Sequence, residues 1–204
     1  VVAAAPLGSV ATEAQAKAAL AAAGLPVPVE RACASRSDAM HAATDIGFPV
    51  VAKILSPDIA HKTEVGGVML NLADAAAVGV AFDTLLSRAA TQRPDARVEG
   101  VLVAPMVRGG VETIAGAVID ASFGPMVMFG LGGTAAELFR DVAFASAPLT
   151  PARAGQLIDT TRAAALRAGW RGAPPADRDA LVETLVRLSY FAAAHASELA
   201  AIDI

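Results

Sequence analysis

The sequence predicts an α+β fold made of two lobes, each containing strands and helices. Hydrophobic residues make up 55% of the 204 residues but aromatic residues only 4%, a composition typical of helices packed on sheets. Strand-length apolar runs alternate with helical periods in the first half, whereas consecutive strand-like runs dominate the middle. We therefore predict an N-terminal lobe of residues 1–104, including the opening helix, and a C-terminal lobe of residues 105–204.

The N-terminal lobe is predicted to contain three helices and three strands. The first helix starts at the capping-box pair Thr12 and Gln15 and ends at Gly24. Ser37 is the expected N-cap of the second helix, and Gly47 is its expected end. The other predicted elements are strands over residues 27–31, 49–55 and 66–72, and a helix over 74–90 with an apolar stripe formed by Val78, Phe82, Leu85 and Ala89.

The C-terminal lobe is predicted to begin as an antiparallel meander, because three apolar runs follow one another with short polar connections. These runs cover residues 98–107, 111–119 and 124–130. A helix should then open at Thr150 and Pro151 and stop at Gly169. The last predicted elements are a helix capped by Asp177, with Leu181, Leu185, Leu188 and Ala192 on one face, and a strand over 199–204.

Charge and composition exclude several classes of partner. The net charge is −4 with both signs interspersed and no basic stripe, so we expect no nucleic-acid partner. The uncharged segment 121–136 contains four glycines and a proline, which argues against a membrane span, and we expect no membrane partner. The single cysteine, Cys33, excludes an internal disulfide and fits a reducing compartment, so we expect a cytoplasmic location.

Lys53 stands out because it lies inside the apolar run "PVVAKIL". Period-2 alternation places it on the same strand face as Val51 and Leu55. A buried unpaired ammonium is costly, so Lys53 requires a partner. It is either an edge-strand lysine or one paired to a glutamate, or else a lysine that reaches a phosphate or another anion.

The stretch "SPDIAHKTEVGGV", residues 56–68, follows that strand and carries the other candidate groups. Lys62 supplies a cation, Thr63 supplies a hydroxyl, and Gly66 and Gly67 allow a close backbone approach or a positive φ. These are the parts of a phosphate cradle. The alternative is an ordinary polar surface turn, in which His61 is simply solvated.

Two further signals are weaker. Gly130, Gly132 and Ala135 match the spacing G-x-G-x-x-A of dinucleotide-binding folds, but the segment before them has the pattern of antiparallel hairpins rather than a parallel sheet. Glu112 shares a predicted strand face with Ile114, where a carboxylate is either a solvated strand end or an acceptor for a ribose hydroxyl. The sequence has no cluster of cysteine and histidine that would predict zinc.

Several of these stretches occur together in a known family. The runs "GFPVVAKILSPDIAHKTEVGGVMLNL", "EGVLVAPMVRGGVETIAGAVIDASFGPMVMFGLGGTAAEL", "GWRGAPPAD" and "LAAIDI" stand in the family's order over nearly the whole chain. In this respect the sequence resembles the ATP-grasp domain of ADP-forming acyl-CoA synthetases, also called acetate–CoA ligases, which are related to the succinyl-CoA synthetase β subunit.

The resemblance implies the ATP-grasp fold, with two lobes and a nucleotide cleft between them, and it suggests which residues bind ATP or ADP. Lys53 would reach the phosphates, and the loop containing His61, Lys62 and Thr63 would cover them. Backbone groups near Val103 and Ala104 would contact the adenine edge, and Glu112 would face the ribose.

The resemblance also implies a reaction, in which an acid, CoA and ATP are converted to acyl-CoA, ADP and phosphate through phosphohistidine. His61 matches the histidine that the ATP-grasp part of the family contributes. The CoA-binding, acyl-activating part would be a fused domain or an α subunit, and so a partner of this chain. A nucleotide-responsive regulatory domain of a protein acetyltransferase, without catalysis, is the alternative.

The family also uses Mg²⁺, and the metal ligands are the part of the site that the sequence leaves open. The family's last strand usually continues as "DINPL", whose asparagine helps to hold the ion, whereas this sequence ends at Asp203 and Ile204. We therefore expect an incomplete metal site here, with Asp203 next to the position of the expected asparagine.

Overall fold

The protein is described by a computed structural model that covers residues 13–59, 61–133, 141–162, 164 and 175–204. Contacts divide the chain into two compact units. Of the described residues, the first unit contains 13–14 and Val27–Arg108, and the second contains Gln15–Pro26 and Gly109–Ile204. This division differs from the predicted one, because residues 15–26 join the second unit and the chain changes unit after Arg108 rather than after residue 104. The boundary between the two lobes of the family stays a prediction.

The first unit is a four-stranded antiparallel sheet packed against two helices. Its strands are β1 (Arg31–Cys33), β2 (Val50–Leu55), β3 (Val68–Leu72) and β4 (Gly100–Pro105). They lie in the order β1-β4-β2-β3, so that β2 and β4 are central. The helices are α2 (Arg36–Ile46) and α3 (Ala75–Gln92), while α1 (Glu13–Ala22) contributes its first two residues to this unit.

The predicted helical stripe forms the core of this unit. Val78, Phe82, Leu85 and Ala89 of α3 are all buried, and they pack in one cluster with residues from β2 and β4. The residues of β2 and β4 in that cluster are Val50, Ala52, Ile54, Val101 and Val103. Cys33 lies in the same cluster, and burial raises the pKa of its thiol above the ordinary value of 9.0.

Two boundaries in the first unit differ from the predictions. Ser35, not Ser37, caps α2, because its side chain accepts a hydrogen bond from the backbone N–H of Asp38, three residues further on. Strand β1 begins at Arg31 rather than at residue 27, in keeping with Pro26 and Pro28, which have no N–H to donate to a sheet. The end of α2 at Gly47, with φ 92°, is as predicted.

The second unit contains another four-stranded antiparallel sheet. Its strands are β5 (Thr113–Asp120), β6 (Gly124–Leu131), β7 (Val142–Ser146) and β8 (Ala201–Asp203), and they lie in the order β7-β6-β5-β8. The helices α4 (Pro151–Thr160) and α5 (Arg178–Ala194) belong to this unit, together with the rest of α1. The arginine Arg187 of α5 donates a hydrogen bond to the carbonyl of Gly24, just after α1, which ties the end of that helix to this unit.

The meander predicted for the C-terminal lobe is only partly correct. Strands β5 and β6 form the expected hairpin, but β4 pairs with β1 and β2 in the other sheet. Strand β7 is an additional strand that the sequence patterns did not indicate. Helix α4 ends at Thr160, because the next residue, Thr161, adopts an extended backbone conformation. The predicted end at Gly169 lies outside the described residues.

The cap and most of the predicted face of helix α5 are confirmed. Asp177 caps the helix by accepting from the backbone N–H of Ala180, and Leu185, Leu188 and Ala192 are buried, whereas Leu181 is only half-buried. In the part of the chain that the structure describes, no helix is both long and apolar enough to cross a membrane.

Candidate functional site

Lys53 lies on a central strand of the first unit. It is paired with Val68 of β3 on one side and with Leu102 of β4 on the other. The prediction of an edge-strand lysine is therefore wrong. Because Val50, Ala52 and Ile54 point into the core, alternation places Lys53 on the opposite sheet face.

The ammonium group of Lys53 is paired with Glu13, the first residue of α1. Its Nζ lies 2.9 Å from Glu13 Oε1, and Nζ of Lys62 lies 3.0 Å from Glu13 Oε2. One carboxylate thus joins both cations that the sequence singled out. The three side chains are largely enclosed, with exposed fractions of 26% for Lys53, 17% for Lys62 and 11% for Glu13.

Glu13 is the partner expected by one interpretation of Lys53, that of a lysine paired to a glutamate. The sequence patterns did not single out Glu13 itself. The only available signal was that a lysine inside an apolar strand needs an anion. Nothing in the local pattern indicated which of the acidic residues supplies it, because 40 positions separate Glu13 from Lys53.

The loop between β2 and β3 is folded into hydrogen-bonded turns. Gly67 donates its N–H to the carbonyl of Lys62 at 2.7 Å, and Gly66 donates to that of Thr63 at 3.1 Å. The side chain of Val65 is buried in the core cluster and holds the loop down, while His61 and Thr63 are exposed. The loop therefore presents the imidazole and the hydroxyl to the outside and keeps Lys62 against Glu13.

Both glycines of this loop have the properties expected of them. Gly66 has φ +59°, a left-handed conformation that favours glycine. A Cβ on Gly67 would lie 2.9 Å from the carbonyl oxygen of Lys62 and 3.2 Å from Ile54 Cγ2. The close approach that Gly67 permits is therefore to the backbone of the same loop at Lys62 and to the side chain of Ile54 in β2.

Val103 and Ala104 lie in the second half of β4. Val103 has a strand partner on each side, Arg31 in β1 and Ala52 in β2, and its side chain belongs to the core. Ala104 is also buried but pairs only with Val51, because β1 begins at Arg31, opposite Val103, and does not reach Ala104. Of the two, Ala104 has the less enclosed backbone edge.

Glu112 lies one residue before β5, in the second unit, and is exposed. Its backbone carbonyl accepts from Gly132 N at 2.8 Å, and its carboxylate lies against Gly133, which has φ +62°. Gly130 similarly leaves room for the backbone of Asp141. The glycines after β6 thus accommodate neighbouring segments of an antiparallel sheet, so the dinucleotide-binding interpretation is wrong; Ala135 lies outside the described residues.

Asp203 lies on β8 of the second unit, opposite Gly116 of β5. A Cβ on Gly116 would meet Asp203 Oδ1 at 2.5 Å and the terminal methyl of Met128 at 3.3 Å. The exposed carboxylate therefore rests on a part of the sheet that has no side chain. The described residues contain no group of three or more His, Cys, Asp or Glu side chains arranged to hold a metal.

The second unit also contains a largely apolar cavity of about 310 Å³ between its sheet and α5. Its lining includes Thr113, Phe129, Ile158 and Leu181. None of the predicted site residues is part of this lining.

Residues 3–204 match the ATP-grasp domain family, so the chain belongs to that family and has its fold, here with two antiparallel sheets. The α+β prediction is thereby confirmed. The chain is 40% identical to the β subunit of ADP-forming acetate–CoA ligase II from Pyrococcus furiosus, over 87% of this chain and 75% of that subunit. It is 44% identical to ADP-forming acetate–CoA ligase I from Archaeoglobus fulgidus, over 78% of this chain and 23% of that ligase.

A solved structure gives the same result. Acetyl-coenzyme A synthetase 1 of Ca. Korarchaeum cryptofilum, in complex with coenzyme A and Ca-AMPCP, superposes with a TM-score of 0.91 and 39% identity. The match covers 95% of this chain and 84% of that chain. The same synthetase with Mg-AMPPCP has its phosphohistidine segment pointing towards the nucleotide binding site, with a TM-score of 0.79 to this chain. The family resemblance predicted from the sequence is therefore confirmed.

Proposed function

We propose that this chain is the nucleotide-binding, phosphohistidine-forming part of an ADP-forming acyl-CoA synthetase. The observation that carries the proposal is the pairing of Lys53 and Lys62 on one carboxylate, in the unit that also presents His61. Two ammonium groups brought together beside an exposed imidazole are suited to binding a phosphate chain and transferring its terminal group. The similarity to ADP-forming acetate–CoA ligases supports the same activity.

In this proposal Lys53, Lys62 and the Thr63 hydroxyl bind the phosphates of ATP or ADP. The backbone of Val103 and Ala104 contacts the adenine edge, with Ala104 the better placed because it has no partner in β1. Glu112 accepts a hydrogen bond from the ribose.

Mg²⁺ fits the proposal as an ion held mostly by the nucleotide. Magnesium is commonly bound by one or two carboxylates together with substrate phosphates rather than by an all-protein cage. Asp203, exposed at the end of β8, would be such a carboxylate, and the described residues offer no larger acidic cluster. When bound, the ion would neutralise charge on the phosphates during transfer.

His61 is proposed as the residue that accepts the phosphoryl group. A neutral ring nitrogen attacks the γ-phosphorus of ATP, and the nitrogen–phosphorus bond forms as the bond from phosphorus to the bridging oxygen breaks. The electron pair of that bond leaves with ADP. In the reverse direction, ADP takes the phosphoryl group from the same nitrogen.

The complete reaction requires a CoA-binding, acyl-activating part, which we propose is a fused domain or an α subunit. The β subunit of Pyrococcus furiosus supports the second arrangement, and the longer Archaeoglobus fulgidus ligase supports the first. A cytoplasmic location belongs to the same proposal. The relatives named above are ligases and synthetases, and they give no support to the regulatory alternative.

The test is to label the complete protein with ATP that carries radioactive γ-phosphate. We expect acid-labile, base-stable phosphate on His61 and none in His61→Ala. His41→Ala is the matched control, because His41 is also exposed but lies on α2. Normal labelling or full ATP synthesis by His61→Ala would refute the proposed role.

A further inference from the structure

The carboxylate of Glu13 forms ion pairs with both lysines that the proposed function assigns to phosphate binding. Each of its carboxylate oxygens accepts from one lysine, at 2.9 Å from Lys53 and 3.0 Å from Lys62. With an exposed fraction of 11%, its side chain is the most enclosed of the three. A carboxylate with two charge-assisted contacts is thus already present where an anionic ligand would bind.

The balance of charge determines what could replace this carboxylate. Lys53, Lys62 and Glu13 together carry a formal charge of +1, so the pair of lysines offers a ligand half the charge that it would offer alone. A singly charged anion that took the place of Glu13 would exchange one carboxylate contact for an equivalent one. A diphosphate or triphosphate brings several negative charges to the same two ammonium groups, and its Coulombic attraction to them is correspondingly greater.

We propose that the Glu13 carboxylate binds the ammonium groups of Lys53 and Lys62 in the absence of nucleotide, and that the phosphates of a nucleoside diphosphate or triphosphate displace it. This inference rests on the proposed function, since it takes Lys53 and Lys62 as phosphate ligands. Glu13 keeps both ammonium groups paired while the protein is free of nucleotide. It also weakens nucleotide binding, because its negative charge competes with the phosphates for the same donors.

A purely structural role of Glu13 and a role in competing with the phosphates predict opposite effects of one variant on ATP binding. Glu13→Gln removes the charge and keeps the size of the side chain. Either role predicts a lower Tm without nucleotide, because two enclosed ammonium groups lose their counter-ion. A structural role also predicts weaker ATP binding, as the lysines lose their arrangement, whereas displacement predicts tighter binding.

The experiment measures ATP and tripolyphosphate binding by calorimetry, and Tm by scanning calorimetry, on the complete protein. For Glu13→Gln we expect a lower Tm and a Kd for ATP that is smaller by about tenfold, as expected for removing one like charge near the phosphates. Glu13→Asp keeps the charge and should stay close to the wild type in Kd. Glu99→Gln, at an exposed glutamate of the same unit but outside the loop that contains Lys62, is the matched control and should change neither quantity.

Two outcomes would overturn the inference. One is an ATP affinity of Glu13→Gln that equals or falls below that of the wild type. The other applies even if that variant does not fold: in a crystal structure of the wild-type protein with ATP, both Glu13 pairs remain intact. If the wild type binds ATP and is labelled on His61, either outcome refutes only the proposed role of Glu13 and not the proposed function. If the wild type binds no ATP, the proposed function fails with it.

Discussion

Lys53 illustrates how a single residue acquires its properties from contacts far along the chain. On a central strand, between Val68 and Leu102, its ammonium group is held by Glu13 rather than by water alone. The same carboxylate holds Lys62. In our proposal, Lys53 exchanges this carboxylate for the phosphates of a nucleotide.

Replacing Lys53 with alanine should weaken nucleotide binding. The loss of one charge-assisted contact to phosphate is worth about 1.5–3 kcal/mol, which corresponds to about a 10- to 150-fold larger Kd. Calorimetric titration of the complete protein with ATP measures the change. Arg97→Ala is the control, because Arg97 is an exposed cation of the same unit, and its removal should leave the Kd unchanged. An unchanged Kd in Lys53→Ala would show that this lysine does not bind the phosphates.

The β5–β6 hairpin shows how one side chain stabilises an element. Asp120 ends β5, and its carboxylate accepts from the backbone N–H groups of Ser122 (2.8 Å) and Phe123 (2.9 Å). These two hydrogen bonds lower the pKa of Asp120 below its ordinary value of 3.8, and the one from Phe123 has the larger effect. Because the folded pKa is the lower one, the ionised carboxylate stabilises the hairpin above pH 3.8, and this contribution is lost as the pH falls through the folded value.

Asp120→Asn should therefore lower Tm at neutral pH but not in strong acid. Asparagine keeps an acceptor oxygen of the same shape but has no charge, so it resembles the protonated aspartic acid. We expect the wild type to have the higher Tm at pH 7 and the difference to shrink towards zero as the pH falls below 3.8. Scanning calorimetry across this range measures it. A difference in Tm that does not depend on pH would show that the charge has no part in the hairpin.

At the scale of the whole molecule, the family and both antiparallel sheets favour a mononucleotide over a dinucleotide as ligand. The apparent G-x-G-x-x-A spacing lies after a strand of an antiparallel sheet, where the glycines accommodate neighbouring backbone. A dinucleotide-binding unit instead places them between a parallel strand and its helix.

ATP with Mg²⁺ should accordingly stabilise the complete protein against heat, and NAD should not. A ligand that binds only the folded state stabilises it by about 2.7 kcal/mol at 100 times its Kd. Thermal unfolding followed with each nucleotide at the same concentration makes the comparison. An equal or larger rise in Tm with NAD would contradict both the expectation that ATP is the ligand and our interpretation of the glycines.

Much of the architecture was predictable because it depends on short segments. The apolar stripe of α3, the Asp177 cap, the β5–β6 hairpin and the positive φ of Gly66 follow from residue spacing and from backbone chemistry. The order of several such stretches along the chain also identifies the family. For the same reason, His61, Lys53 and Lys62 could be singled out from one strand and the loop after it.

Sequence patterns were therefore sufficient for most of the local elements, the family and the candidate groups of the phosphate loop. They were not sufficient for the pairing of β4 with β1 and β2 rather than with β5, or for Glu13 as the partner of both lysines, which the packing of the folded chain shows. Periodicity records which way a side chain faces along its own element, but not which distant segment lies opposite. That choice depends on how whole strands and helices pack, because every buried charge and every strand edge must find its partner at once.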